Sequence, residues 1–247
     1  MKGATAVVVG GTHGMGLAMV RALVDRGASV VATGRGTPDG AGAAHGEAVR
    51  FVRSDITSSG DLAELARLVG STFGTVDALF VNAGFARLEP IAEVTAESYD
   101  RTFAVNTRGA FFTVQRLAPL VRDGGAIVMT TSIAGETGTA GMSVYSGAKA
   151  AVRAFVRVFA AELLDRGIRV NAVSPGFVRT PTMGVAGASD AERAEFEAEG
   201  AAATPLGRIG SPEEVARAAL FLAFDATFTT GAELPVDGGL AQQLEAS

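Results

Sequence analysis

Short apolar runs rich in Val, Ile and Ala recur along the chain, each followed by a longer helical pattern. The runs are Thr5–Val9, Ser29–Thr33, Ala48–Val52, Ala78–Val81, Ala126–Thr130, Arg169–Val173 and Glu233–Val236. Most are apolar throughout rather than at every second position. A strand of that kind is buried on both faces of its sheet, which is the situation in a parallel sheet covered by crossover helices. Helices are expected near 15–26, 60–73, 96–120, 144–166, 190–200 and 212–223. The expected fold class is α/β: a doubly wound parallel sheet of about seven strands with helices on both faces, in three α/β/α layers.

Helix boundaries carry their own signals. Ser211-Pro212-Glu213-Glu214 offers an N-cap, a proline at the first helical position and a capping-box glutamate. Ser189-Asp190-Ala191-Glu192 is a weaker box of the same kind, and Gly27 and Gly167 stand where helices end. No linker or repeat divides the 247 residues, so one domain over 1–247 is expected. Small residues and charges over 184–204 predict a mobile substrate flap before the last helix.

Several function classes are excluded on composition. There is no cysteine, hence no disulfide framework, thiolate metal site or cysteine nucleophile. His13 and His45 lie too far apart for a zinc motif, and no metal site is expected. The net charge is −5 and no basic run occurs, so no nucleic-acid partner is expected. No apolar stretch approaches the ~18 residues of a membrane span, so no membrane partner is expected. The apolar run near the N-terminus is too short for a signal-peptide core. A cytoplasmic protein is the expectation.

The segment Gly10-Gly11-Thr12-His13-Gly14-Met15-Gly16 joins the first strand to the first helix. Glycines there permit a tight turn and let backbone N–H groups meet a pyrophosphate. The spacing is not G-x-G-x-x-G, and a Gly-rich turn without ligand is the alternative. The second strand ends Ala32-Thr33-Gly34-Arg35. An NAD site usually carries an acid there for the ribose 2′-hydroxyl. A guanidinium instead suits a 2′-phosphate. NADP(H) is therefore favoured, with NAD(H) as the alternative. Arginine is the default base here, 19 Arg against two Lys, and that weakens the inference from Arg35. His13 could add a phosphate contact or simply be solvated.

Tyr145-Ser146-Gly147-Ala148-Lys149 opens the most apolar helix. Residues i and i+4 share a helix face, so phenol and ammonium can address one site. A nearby cation is expected to lower the phenol pKa and make it a general acid or base. Tyr99, the other tyrosine, lacks a lysine at i+4 and is read as structural.

Together these segments resemble the short-chain dehydrogenase/reductase family, and the resemblance covers nearly the whole chain. The matching segments are Gly10–Gly16, Asp55-Ile56, Asn82-Ala83-Gly84, Asn106, Ser132, Tyr145/Lys149, Asn171–Gly176, Pro205–Arg208 and Val236–Gly239. The resemblance implies a Rossmann-like single domain. It implies Tyr145 as the acid/base, Lys149 on the nicotinamide ribose, and Ser132 on the reacting oxygen. Asn106 would bend its helix and position a relay water. The implied cofactor set is Gly10, Thr12, His13, Gly14, Met15, Gly16, Arg35, Asp55, Ile56, Asn82, Ala83, Gly84, Pro175, Gly176, Val178 and Thr180, with Tyr145 and Lys149. Val9, Val81, Met129 and Thr131 depart from frequent family residues without removing a catalytic group.

The reaction so implied is NADPH-dependent reduction of a ketone or other carbonyl. The alternatives are an NAD-dependent alcohol dehydrogenase and a non-catalytic dinucleotide-binding protein. Flanking residues Phe85, Ile133, Ala134, Glu136, Met142, Phe177, Val178 and Met183 are mostly apolar and suggest an uncharged small-molecule substrate. The helices near 96–120 and 144–166 are expected to pair between subunits in a homotetramer or dimer. All three asparagines, and one lysine and one tyrosine of two each, fall in these motifs.

Overall fold

The computed structural model describes residues 1–36, 48–181 and 189–244. Seven strands form one sheet: β1 (Thr5–Val9), β2 (Ser29–Gly34), β3 (Val49–Arg53), β4 (Val76–Val81), β5 (Val121–Thr130), β6 (Arg169–Pro175) and β7 (Glu233–Val236). Their order is β3-β2-β1-β4-β5-β6-β7, and every pair is parallel. Strands β4 and β5 begin before the apolar runs at Val76 and Val121, where the runs gave no signal.

Alternate residues of each strand feed opposite cores. In β1, Val7 and Val9 join Leu79, Val81, Ile127 and Met129 on one face. Ala6 and Val8 join Ala78, Phe80, Ala126 and Val128 on the other. This is why the runs are apolar without a break. Helices α2 (Ser59–Phe73), α4 (Ala110–Leu117) and α5 (Ser143–Glu162) cover the first face. Helices α1 (Gly14–Asp25) and α7 (Pro212–Leu220) cover the second.

The predicted helix near 96–120 is three pieces: α3 (Ala96–Phe103), a wide π turn over Ala104–Gly109, and α4. A short 3₁₀ turn, Ala118–Leu120, leads into β5. Helix α6 (Asp190–Ala203) occupies most of the segment expected as a flap. The first residues expected in the flap, 184–188, and Met183 lie outside the described residues. The capping boxes form as expected: Ser211 Oγ accepts from Glu214 N, and Glu214 Oε2 accepts from Ser211 N at 2.8 Å. Ser189 and Glu192 do the same for α6.

The chain runs outward from β1 through β2 to β3, then returns to lay β4 on the other side of β1. At that reversal the crossover helices leave to opposite faces and open a crevice beyond the carboxyl ends of β1 and β4. Ligands of open α/β sheets bind in such a crevice.

Candidate active site

The crevice is a cleft of about 680 Å³. Its floor depends on glycines at contact distance. A Cβ on Gly10 would stand 2.6 Å from Ala83 N, and one on Gly16 would stand 1.9 Å from Gly10 O. Gly10 also has φ +81°, a left-handed conformation that favours glycine. Asn82 ties these segments together. Its Nδ2 donates to Gly10 O at 3.2 Å and its Oδ1 accepts from Thr130 Oγ1 at 3.0 Å.

Helix α1 starts in this cleft without a side-chain cap, whereas α2, α3, α6 and α7 are each capped by Ser or Thr. Its first N–H groups therefore lack a side-chain acceptor and favour an anion. Two buried hydroxyls on the cleft wall, Thr33 Oγ1 and Ser54 Oγ, also have no protein partner. Orphan donors at a glycine-lined crevice fit the phosphates and ribose of a dinucleotide.

Twelve of the residues expected to bind cofactor line the cleft: Gly10, Thr12, His13, Gly14, Met15, Arg35, Asp55, Ile56, Asn82, Ala83, Gly84 and Thr180. Gly16 lies beneath, against Gly10. Tyr145, Lys149, Pro175, Gly176 and Val178 are not among the lining residues. Gly176 instead permits close packing, since its Cβ would meet Asp237 Cα at 2.9 Å. Val178 bridges to Gly210. Asp55 is held below the usual carboxylate range by hydrogen bonds from Thr57 N and Thr57 Oγ1, with a smaller contribution from the Arg35 charge. Thr33, Ser54, Phe85 and Arg101 line the cleft too and were not in the expected cofactor set. The carboxyl ends of β2 and β3 would have pointed to the first two.

The chemical end is built by β5, the π turn and α5. Lys149 is 4% exposed, and its Nζ donates to Thr130 O at 2.8 Å. Burial pushes its pKa down to about 8, so the ammonium persists at neutral pH. Nζ lies 5.8 Å from the centre of the Tyr145 ring. A Cβ on Gly84, a cleft residue, would stand 3.3 Å from Nζ and 2.7 Å from Asn106 Oδ1. Gly84 thus stands between the lysine and the cleft, and its lack of a side chain lets Nζ and Asn106 Oδ1 approach the cleft wall from behind.

Ser132 follows β5 and starts the 3₁₀ turn Ile133–Gly135, its Oγ accepting from Ala134 N at 3.2 Å. Its own O–H remains for Tyr145. Burial raises the Tyr145 phenol above its ordinary pKa, and the hydrogen bond with Ser132 opposes that rise. This corrects the expected lowering. Burial of the phenol is the larger effect.

Asn106 sits inside the π turn and is fully engaged. Its Oδ1 accepts from Phe85 N at 3.2 Å, and Nδ2 donates to Phe85 O at 2.9 Å and Thr102 O at 3.1 Å. It fixes the strand-end loop that carries Gly84. Asn171 lies away from the cleft, donating to Thr229 O and accepting from Ala232 N. Tyr99 stacks on Phe103 at 4.6 Å, a structural contact.

Among the described residues, no His, Asp or Glu cluster could hold a metal, and no helix is long and apolar enough to cross a membrane.

Comparison with known proteins agrees with this architecture. Residues 9–241 match a family model described as enoyl-(acyl carrier protein) reductase. Oxidoreductase asL5 of Sarocladium schorii is 38% identical, over 98% of this chain and 97% of its own length. The NADP-dependent (R)-specific alcohol dehydrogenase of Lentilactobacillus kefiri is 34% identical, over 98% of both chains. The ligand-free aldohexose dehydrogenase of Thermoplasma acidophilum superposes with a TM-score of 0.88 at 26% identity, over 100% of this chain and 97% of its own. The chain thus belongs to the short-chain dehydrogenase/reductase family of oxidoreductases, acting on hydroxyl or carbonyl groups.

Proposed function

We propose that the protein is an NADP(H)-dependent reductase of a ketone or similar carbonyl, with Tyr145 as proton donor. One observation carries the reading. The lysine–tyrosine pair lies directly behind Gly84, a residue of the cleft wall, so the acid and the dinucleotide cleft adjoin. Bound NADPH supplies a hydride to the carbonyl carbon. The chain supplies the rest.

Tyr145 holds a proton at its phenol oxygen at neutral pH, as a donor must. Ser132 directs its O–H to the same locus and orients the oxygen that receives the proton. Lys149 places a buried positive charge beside the pair, stabilising negative charge that develops on the phenol. Its place behind Gly84 sets it at the wall that a bound ribose would face. Asn106 holds that wall in place through Phe85.

The preference for the phosphorylated cofactor rests on Arg35 at the rim and on the lack of an acid in Ala32-Thr33-Gly34-Arg35 at the end of β2. The NADP dependence named for the Lentilactobacillus kefiri relative supports it. The apolar flanks of the site favour an uncharged small-molecule substrate. A homotetramer or dimer through α3–α4 and α5 belongs to the same reading. Val158 on α5 stands 52% exposed, and Phe112 of α4 and Phe155 of α5 are only partly covered.

Three outcomes follow from these roles. Tyr145→Phe lowers kcat by about 10²- to 10⁴-fold with the NADPH Kd unchanged, and normal turnover would remove the mechanism. Arg35→Ala weakens NADPH binding by about 10- to 100-fold while leaving NADH nearly unaffected. Equal losses for both, by fluorescence titration, would overturn the cofactor preference. Lys149→Met abolishes turnover but melts higher than the native chain at pH 7. The native lysine titrates near 8 when folded and 10.5 when unfolded, so the unfolded chain binds more protons between those values. Native stability therefore rises with pH across that window, and the gap between the two melting curves closes.

A further inference from the structure

Arg153, Glu136 and Glu233 meet just behind the chemical end of the cleft. Arg153 lies one turn beyond Lys149 and two beyond Tyr145 on the same side of α5. Its Nη1 is 2.8 Å from Glu136 Oε1, and its Nε is 2.7 Å from Glu233 Oε2. The second contact is an ion pair without an aligned hydrogen bond, since neither atom has a partner of good angle.

Each partner belongs to an element that ends at the site. Glu136 directly follows the 3₁₀ turn capped by Ser132. That turn is pressed onto α5, for a Cβ on Gly135 would stand 3.2 Å from Ala150 N. Glu233 opens β7, next to β6, whose Val173 carbonyl accepts from the hydroxyl of Thr131, the residue before Ser132. The two ion pairs thus link the Ser132 turn, α5 and the start of β7 through one guanidinium.

Burial pushes the Glu233 carboxyl above its ordinary range; Thr131 and Arg153 oppose this and Glu136 reinforces it. Arg153 and Glu136 are each more than a third exposed. Ion pairs that exposed contribute little to stability. What a guanidinium adds is geometry, because its rigid planar fork can address two carboxylates at once.

We propose that Arg153 is a positioning residue. By bridging Glu136 and Glu233 it holds the Ser132 turn against α5 and so sets the hydrogen bond between Ser132 and Tyr145. The inference rests on Tyr145 being the proton donor.

The chain has two tyrosines and no tryptophan, so in a Tyr99→Phe background the phenolate absorbance reports Tyr145 alone. A stopped-flow pH jump reads that titration before the fold can open. Ser132→Ala raises the Tyr145 pKa, because the opposing hydrogen bond is gone. Arg153→Met raises it too, by about half a pH unit or more. The double variant shows no further rise, the signature of one shared interaction. Arg153→Lys restores part of the shift. Glu136→Gln shifts the titration in the same direction and serves if Arg153→Met fails to fold. Arg122→Met, which breaks the ion pair with Asp77 at the opposite end of the sheet, shifts nothing. An unmoved titration in Arg153→Met and Glu136→Gln, or shifts that add to that of Ser132→Ala, would overturn the proposal. Turnover of Tyr145→Phe is read separately, so a wrong proton donor is not mistaken for a wrong positioning residue.

Discussion

The approach of Gly10 to Ala83 is the constraint on which the rest of the site depends. The ends of β1 and β4 come so close that a Cβ on Gly10 would fall 2.6 Å from a backbone nitrogen. That proximity follows from the strand order, because β1 and β4 are neighbours although β2 and β3 lie between them in sequence. The same crossing leaves α1 starting beneath the cleft with an uncapped N-terminus. Its positive end is thus available to a pyrophosphate without any side chain being recruited. The glycines are needed for packing first and serve binding as a result.

Polar groups at the carboxyl edge are assigned in pairs. Each of the three asparagines uses its amide in both senses, donating through Nδ2 and accepting through Oδ1. Asn82 joins β1 to β5, Asn106 joins the π turn to the loop after β4, and Asn171 joins β6 to the loop before β7. Neither aspartate nor lysine could do this, since a carboxylate only accepts and an ammonium only donates. In a chain otherwise rich in Ala, Arg and Gly, that double requirement accounts for where asparagine occurs. Lys149 is the costly member. Its ammonium is buried, donates to the Thr130 carbonyl, and lies just behind Gly84 on the cleft wall. A group so placed favours a ligand that brings further acceptors.

Much of this was legible in the sequence because burial on two faces writes itself as unbroken apolar runs. Val7 and Val9 on one side of β1, with Ala6 and Val8 on the other, show the rule directly. The tyrosine–lysine spacing by itself places both groups on one helix face. Other features leave no such trace. The starts of β4 and β5 carry Asp77 and Arg122, an exposed ion pair that mimics a loop. The π turn at Asn106 depends on hydrogen bonds to Phe85, 21 residues earlier. Pro175 and Gly176 read as cofactor contacts, yet Gly176 is set by packing on Asp237 from the far end of the chain. Arg153 carries no local signal of its role, because its partners come from β7 and from the turn after β5. Pairings of that range are fixed by the sheet, not by local pattern.

The central claim is that one cleft holds NADPH and a carbonyl against Tyr145. The most direct test supplies NADPH deuterated at the transferring position of nicotinamide C4, offers a panel of prochiral ketones, and analyses the products by mass spectrometry. The expected result is an alcohol carrying one deuterium on the carbinol carbon. Unlabelled alcohol, or NADPH left unoxidised across the whole panel, would contradict it.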